Sequence, residues 1–171
     1  MISRRSVLAL PVLALPLPVL ALGPAAAQAQ GAALTPALAL EHEAVHTFGE
    51  LGAQLDDATK ELVRFLDAEH RLQRDRVSDA LRASGATPAA ALPAYALPMP
   101  VTDRLSALAV LLVLEEALVR AYSAVVAAPV SAADRSLAAD LVVRNATHLT
   151  TLRFARARSL IGSTDAFPGR G

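Results

Sequence analysis

TPALALEHEAVHTFGELGAQL, residues 35–55, sets the question that the rest of the chain has to answer. Thr35 suits an N-cap, and Pro36 suits the first helical position, where a missing N–H leaves nothing unpaired. Leu38, Glu41, Val45, Phe48, Gly52 and Leu55 then recur at alternating spacings of three and four, which puts them on one face of a helix. That face is apolar except for Glu41. A carboxylate aimed at a core is costly unless something pairs with it. The stretch therefore predicts a partner for Glu41 from elsewhere in the chain.

Composition narrows where to look. The 171 residues are 54% hydrophobic and only 4% aromatic, which suits one domain with an aliphatic core. Ala and Leu dominate and β-branched residues occur singly or in pairs rather than in longer runs, a helix-forming mixture. The formal net charge is zero, so no strongly basic surface points to nucleic acid. With no cysteine, disulfides, thiolate catalysis and thiolate metal sites are excluded. No Gly-rich phosphate loop, dinucleotide fingerprint or Ser-His-Asp order is visible.

Residues 1–30 have the character of a cleaved export signal. Ser3-Arg4-Arg5-Ser6-Val7-Leu8 is a short basic start, followed by an apolar run to Leu22 and by the Ala-x-Ala triplets Ala25-Ala26-Ala27 and Ala27-Gln28-Ala29. Pro11, Pro16 and Pro18 interrupt the run, which is short for a membrane span of about 20 residues. The paired arginines resemble a twin-arginine signal, with general secretion as the alternative. The expected location is the periplasm or another extracytoplasmic space. Cleavage removes Arg4 and Arg5 and no acid, so 16 basic and 16 acidic residues become 14 and 16, a net charge of −2.

The remainder reads as four helices in residues 31–162 and a loose tail at 163–171. The second helix starts near Asp57 and stops at Ser84-Gly85, with Val63, Leu66, His70, Val77 and Leu81 as its stripe and Arg74 in the gap. Residues 86–101, with Pro88, Pro93, Pro98 and Pro100, can be neither regular helix nor central strand. Extended, they cover about 50 Å, enough to return along a helix of about 39 Å. Tyr95, Leu97 and Met99 are expected to pack on a helix as they pass. The third helix starts at Thr102 or Asp103, with Leu105, Leu108, Leu112, Glu115, Val119, Tyr122 and Val126 as its stripe. It is apolar on most sides and should be the most buried, while Glu115, Glu116 and Arg120 exclude a membrane span. Ser131 and Asp134 resemble a capping box for the fourth helix, whose stripe is Leu137, Leu141, Asn145, His148, Leu152 and Ala155.

Each stripe thus carries one ionisable intruder near mid-helix: Glu41, His70, Glu115 and His148. At about 1.5 Å per residue, their distances from the turns place them at similar levels. Two carboxylates and two imidazoles converging in a bundle core are metal-ligand material.

At these residues the chain resembles the ferritin-like di-metal carboxylate proteins, in which two helices each give a Glu and the other two give Glu-x-x-His. The matching positions are Glu41, Asp67-Ala-Glu-His70, Glu115 and Asn145-Ala-Thr-His148, in the family's helix order. It also resembles exported bacterial ferritin-like domains of no assigned function, through Glu41-His42, the His70-to-Asp75 run and Pro93-Ala-Tyr95-Ala-Leu-Pro98. The resemblance implies an all-α, ferritin-like four-helix bundle with a long Pro/Ala-rich crossover. It also implies a metal site for Fe, Mn or Zn made by Glu41, His70, Glu115 and His148, with Asp67 as accessory. Two departures count against a full di-metal centre. Asp67 is one methylene shorter than Glu, and Asn145 brings no charge, so a single-metal or lost site is expected.

A polar network without metal is the other reading of the cluster: Arg74 or Arg144, each one turn from a histidine, would then neutralise the carboxylates. His42, His46 and Glu116 are expected at the surface, and Tyr122 in the core. Two functions follow. One is a non-enzymatic bundle acting through its surface, as a homodimer or with a cell-envelope protein, motivated by the apolar third helix. The other is a metal-binding protein with metal-handling or oxidase activity.

Overall fold

The computed structural model describes residues 32–53, 55 and 57–162, without the side chains of Asp57 and Ala58. The expected export signal and C-terminal tail lie outside these residues, as does the cap expected at Asp57. A 3-10 turn, Ala32–Leu34, leads into α1 (Thr35–Gly52), α2 (Asp57–Ala83), α3 (Arg104–Ala127) and α4 (Ala132–Gly162). There is no strand among the described residues, and the fold is an all-α four-helix bundle.

Local signals account for the end of α2 and the starts of α3 and α4. Gly85, with φ 81°, terminates α2: the Ala86 N–H reaches the Leu81 carbonyl at 3.0 Å and the Gly85 N–H reaches the Arg82 carbonyl at 2.9 Å. Asp103 caps α3 by accepting the Ser106 N–H at 2.8 Å, and its own N–H donates to Ser106 Oγ at 3.0 Å. The Asp134 N–H donates to Ser131 Oγ at 3.0 Å at the start of α4. The α1 start differs from expectation. Thr35 is the first helical residue, because Leu34 already has helical backbone (φ −82°, ψ −13°) and is fully buried, with no side-chain cap. At the other end α1 stops at Gly52, short of Leu55, which is nevertheless buried.

α3 packs most extensively along α4, α1 along α2, and α1 also lies against α3. The contacts His70–His148, Gln73–Asn145 and Arg76–Asp140 run in opposite numerical directions, so α2 and α4 are antiparallel. Since α3 and α4 join through a short turn, the crossover must carry the chain back to start α3 parallel to α2. Leu97, Met99 and Val101 of the crossover pack against the core as it passes.

α3 has the widest buried surface: Ala107, Leu108, Val110, Leu111, Leu114, Glu115, Leu118, Tyr122 and Val125. Because it meets both α4 and α1, its buried face is broader than a single stripe. The expected stripe members Leu105, Leu112, Val119 and Val126 are only half-buried. The apolar helix that motivated a partner surface therefore leaves only Val113, Ala124 and Ala127 of its apolar residues exposed. Among the described residues no helix is long and apolar enough to cross a membrane.

Candidate metal centre

Glu41 on α1, His70 on α2 and Glu115 on α3 are fully buried, and His148 on α4 nearly so. They meet in one place. Glu41 Oε2 lies 3.0 Å from His70 Nδ1, and Glu115 Oε1 lies 3.1 Å from His70 Nε2. His148 Nδ1 approaches the same Glu115 Oε1 at 3.2 Å, but without hydrogen-bond geometry. The two imidazoles lie edge to face, 5.4 Å apart. Tyr122, two turns beyond Glu115 on α3, donates its hydroxyl to Glu41 Oε1 at 2.6 Å. Phe48 covers the His70 ring from α1 at 4.7 Å.

The charges follow from these contacts. Burial opposes charging His70, but the hydrogen bonds to Glu115 and Glu41 outweigh it and push its pKa up to about 10. His70 is therefore an imidazolium at neutral pH, donating to both carboxylates. Burial likewise opposes ionising Glu115, yet His148 and His70 hold it below the usual carboxylate range. Burial, then the Glu41 charge, push the Tyr122 phenol well up, so it remains a donor. The cationic partner that Glu41 requires is His70.

The two arginines expected as alternative partners are elsewhere. Arg74 pairs with Asp75 at 2.8 Å, and Arg144 bridges Asp140 and Glu69 at 3.2 and 3.4 Å on the outer face. Their long side chains keep the guanidinium in water, where charge is cheaper to hold. Asp67 is also outside the cluster: Arg71 holds its Oδ2 at 3.0 Å, while its buried Oδ1 has no partner among the described residues. Glu116 is half-buried and paired with Arg153 at 2.8 Å. His42 and His46, expected at the surface, are partly covered by the crossover: His42 Nε2 meets the Ala89 carbonyl at 3.0 Å, and the His46 ring lies 5.4 Å from Tyr95.

A buried amide pair, Asn145 with Gln73, lies next to the cluster. Asn145 Nδ2 donates to Gln73 Oε1 at 2.9 Å and to the Leu141 carbonyl at 2.8 Å. Gln73 occupies the gap assigned to Arg74. The spacing 66, 70, 73, 77 was the available signal, since it continues the three-four alternation. Asn145-Ala-Thr147 matches a glycosylation acceptor, but the Asn145 side chain is fully buried and unavailable for it.

His70, Glu115 and His148 can each offer a ligand atom within 4.8 Å of the others, so this buried group could hold a metal ion. Glu115 Oε2 and His148 Nδ1 are buried polar atoms without a hydrogen-bond partner among the described residues. Two imidazoles and a carboxylate form a donor set suited to zinc, iron or manganese. Glu41 stands behind the His70 ring, the usual place of a carboxylate that orients a ligating histidine.

Comparison with known proteins adds family but no activity. No curated protein matches the chain. A conserved hypothetical protein, rv2844, from Mycobacterium tuberculosis has a similar crystal structure, with a TM-score of 0.71 and 31% identity, covering 74% of this chain and 96% of that one. Residues 33–171, and hence the whole bundle, match the family model of a domain of unknown function, and the chain belongs to that family, DUF4439.

Proposed function

We propose that this chain binds one divalent transition-metal ion in the bundle core, through His70 Nε2, Glu115 and His148 Nδ1. The observation that carries the reading is the convergence of those three donors within 4.8 Å, with Glu115 Oε2 and His148 Nδ1 otherwise unpartnered among the described residues. Charge supports it. His70 as an imidazolium offsets only one of the two carboxylate charges of Glu41 and Glu115, whereas a dication with neutral imidazoles offsets both. One ion fits better than two, because Asn145, bonded to Gln73, brings an uncharged amide where the ferritin-like resemblance implies a further carboxylate. Asp67, engaged by Arg71, has no place in this reading. The bundle would be a metal-handling member of the ferritin-like proteins, exported by its Arg4-Arg5 leader and loaded with Fe, Mn or Zn outside the cytoplasm.

Elemental analysis of the protein recovered from its export compartment tests the reading. About one Fe, Mn or Zn per chain is expected, lost in the His70→Ala/His148→Ala double variant and in Glu115→Gln. Failure of the purified protein to take up any of the three ions, or to gain thermal stability from them, sinks it.

A second reading, binding of an envelope protein or a second copy through the outer surface, is favoured by Phe65 and Leu72 on α2 and Val143 and Phe154 on α4, each about 60% exposed or more. Sedimentation equilibrium decides it for self-association: a monomer at high concentration excludes the homodimer.

A further inference from the structure

A second feature lies outside the core cluster. Between the last turns of α1 and the first half of α2 is a cleft of about 320 Å³, the scale of a small-molecule site. Phe48, Gly49 and Gly52 line it from α1, and Lys60, Arg64 and Asp67 from α2. The α2 wall is unusual for this protein. Arg71, Arg74, Arg76 and Arg82 of the same helix are each ion-paired with an aspartate. Lys60 and Arg64, one turn apart on the cleft side, have no such partner among the described residues. Two cations at i and i+4 on one helix face destabilise that helix slightly, and an anion between them would reverse the effect.

The opposite wall leaves room for such an anion. A Cβ on Gly49 would meet nothing within 4 Å, so the wall is open there, whereas at Gly52 it would press on Val63 at 3.2 Å. Phe48 gives the cleft an apolar floor. Asp67 also lines the cleft; Arg71 pairs with its Oδ2, while its buried Oδ1 has no hydrogen-bond partner among the described residues.

We infer that this cleft binds a small organic dianion, with its phosphate or dicarboxylate end on Lys60 and Arg64 and its apolar body over Gly49 against Phe48. Paired guanidinium and ammonium donors suit a doubly charged oxyanion. The site uses none of the proposed metal ligands and stands whether or not the core holds an ion.

Phenyl phosphate is the probe, titrated calorimetrically into the protein in chelator. Saturable one-to-one binding is expected, with a Kd below about 1 mM. Lys60→Ala/Arg64→Ala should weaken it at least tenfold by removing the cations, and Gly49→Leu should do so by filling the cleft. Both changes are at the surface and should leave the unfolding midpoint within a few degrees. Absence of saturable binding, or binding that persists unweakened in either variant, overturns the assignment.

Discussion

Glu41 meets His70 at Nδ1, the ring nitrogen turned away from Glu115 and His148. The two core carboxylates therefore have different tasks. Glu41, anchored by Tyr122, fixes the ring, and Glu115 faces the donors that converge. Glu41→Gln should keep metal stoichiometry but weaken affinity about 10- to 100-fold, the usual effect of losing a ligand's orienting partner. Glu115→Gln should abolish stoichiometric binding. Competitive titration with Co(II) and Zn(II) separates the two, and equal losses would contradict the division.

Without metal, the cluster makes stability depend on pH in both directions. His70 has its folded pKa raised from 6.5 to about 10. Its contribution is fully present below about pH 6.5 and is lost as pH rises through about 10. Glu115 is depressed below 4.5, so its contribution is present above that value and is lost as pH falls through its folded pKa. The unfolding free energy of chelated protein from urea titration should decline between pH 7 and 10.5, on the order of a few kcal/mol. In His70→Gln that alkaline decline should disappear.

Tyr122 donates a 2.6 Å bond to a buried carboxylate. Tyr122→Phe leaves Glu41 Oε1 without that donor and should cost about 1–3 kcal/mol in urea unfolding. Metal stoichiometry should not change, because the hydroxyl is remote from the converging donors. Loss of the ion in this variant would place Tyr122 closer to the site than its bond to Glu41 allows.

Gly85 is the one residue with positive φ among those described. Gly85→Ala forces a Cβ into the left-handed conformation that closes α2, at a cost of about 1 kcal/mol or slightly more. Thermal unfolding should register a few degrees lower midpoint with unchanged helical circular dichroism. No change would mean that the two backbone hydrogen bonds after Leu81 do not hold the end of α2.

The four intruders Glu41, His70, Glu115 and His148 were legible because helix periodicity is a local property, and each broke an apolar stripe. Their partners were legible only in part. The bond from Tyr122 to Glu41 spans 81 residues and depends on how α1 and α3 rotate against each other, which no local pattern specifies. Arg74 was a plausible counter-ion on spacing alone, but a guanidinium with a surface aspartate beside it has little reason to leave water. Gln73 is less legible because a neutral amide carries no charge to demand a partner, although it is buried in the stripe. The α1 start was misplaced because the burial of Leu34, a tertiary effect, outweighed the cap signal at Thr35.

The crossover at residues 86–103 divides the chain into two helical hairpins, and the core cluster is divided with it. Glu41 and His70 belong to one hairpin, Glu115 and His148 to the other. Neither half carries a complete set of donors, so an ion could be captured only after the hairpins had docked. Once captured, it would act as a clasp across the seam. A protease cut in the crossover would then leave the metal-loaded halves associated, while those of the metal-free protein would separate more readily.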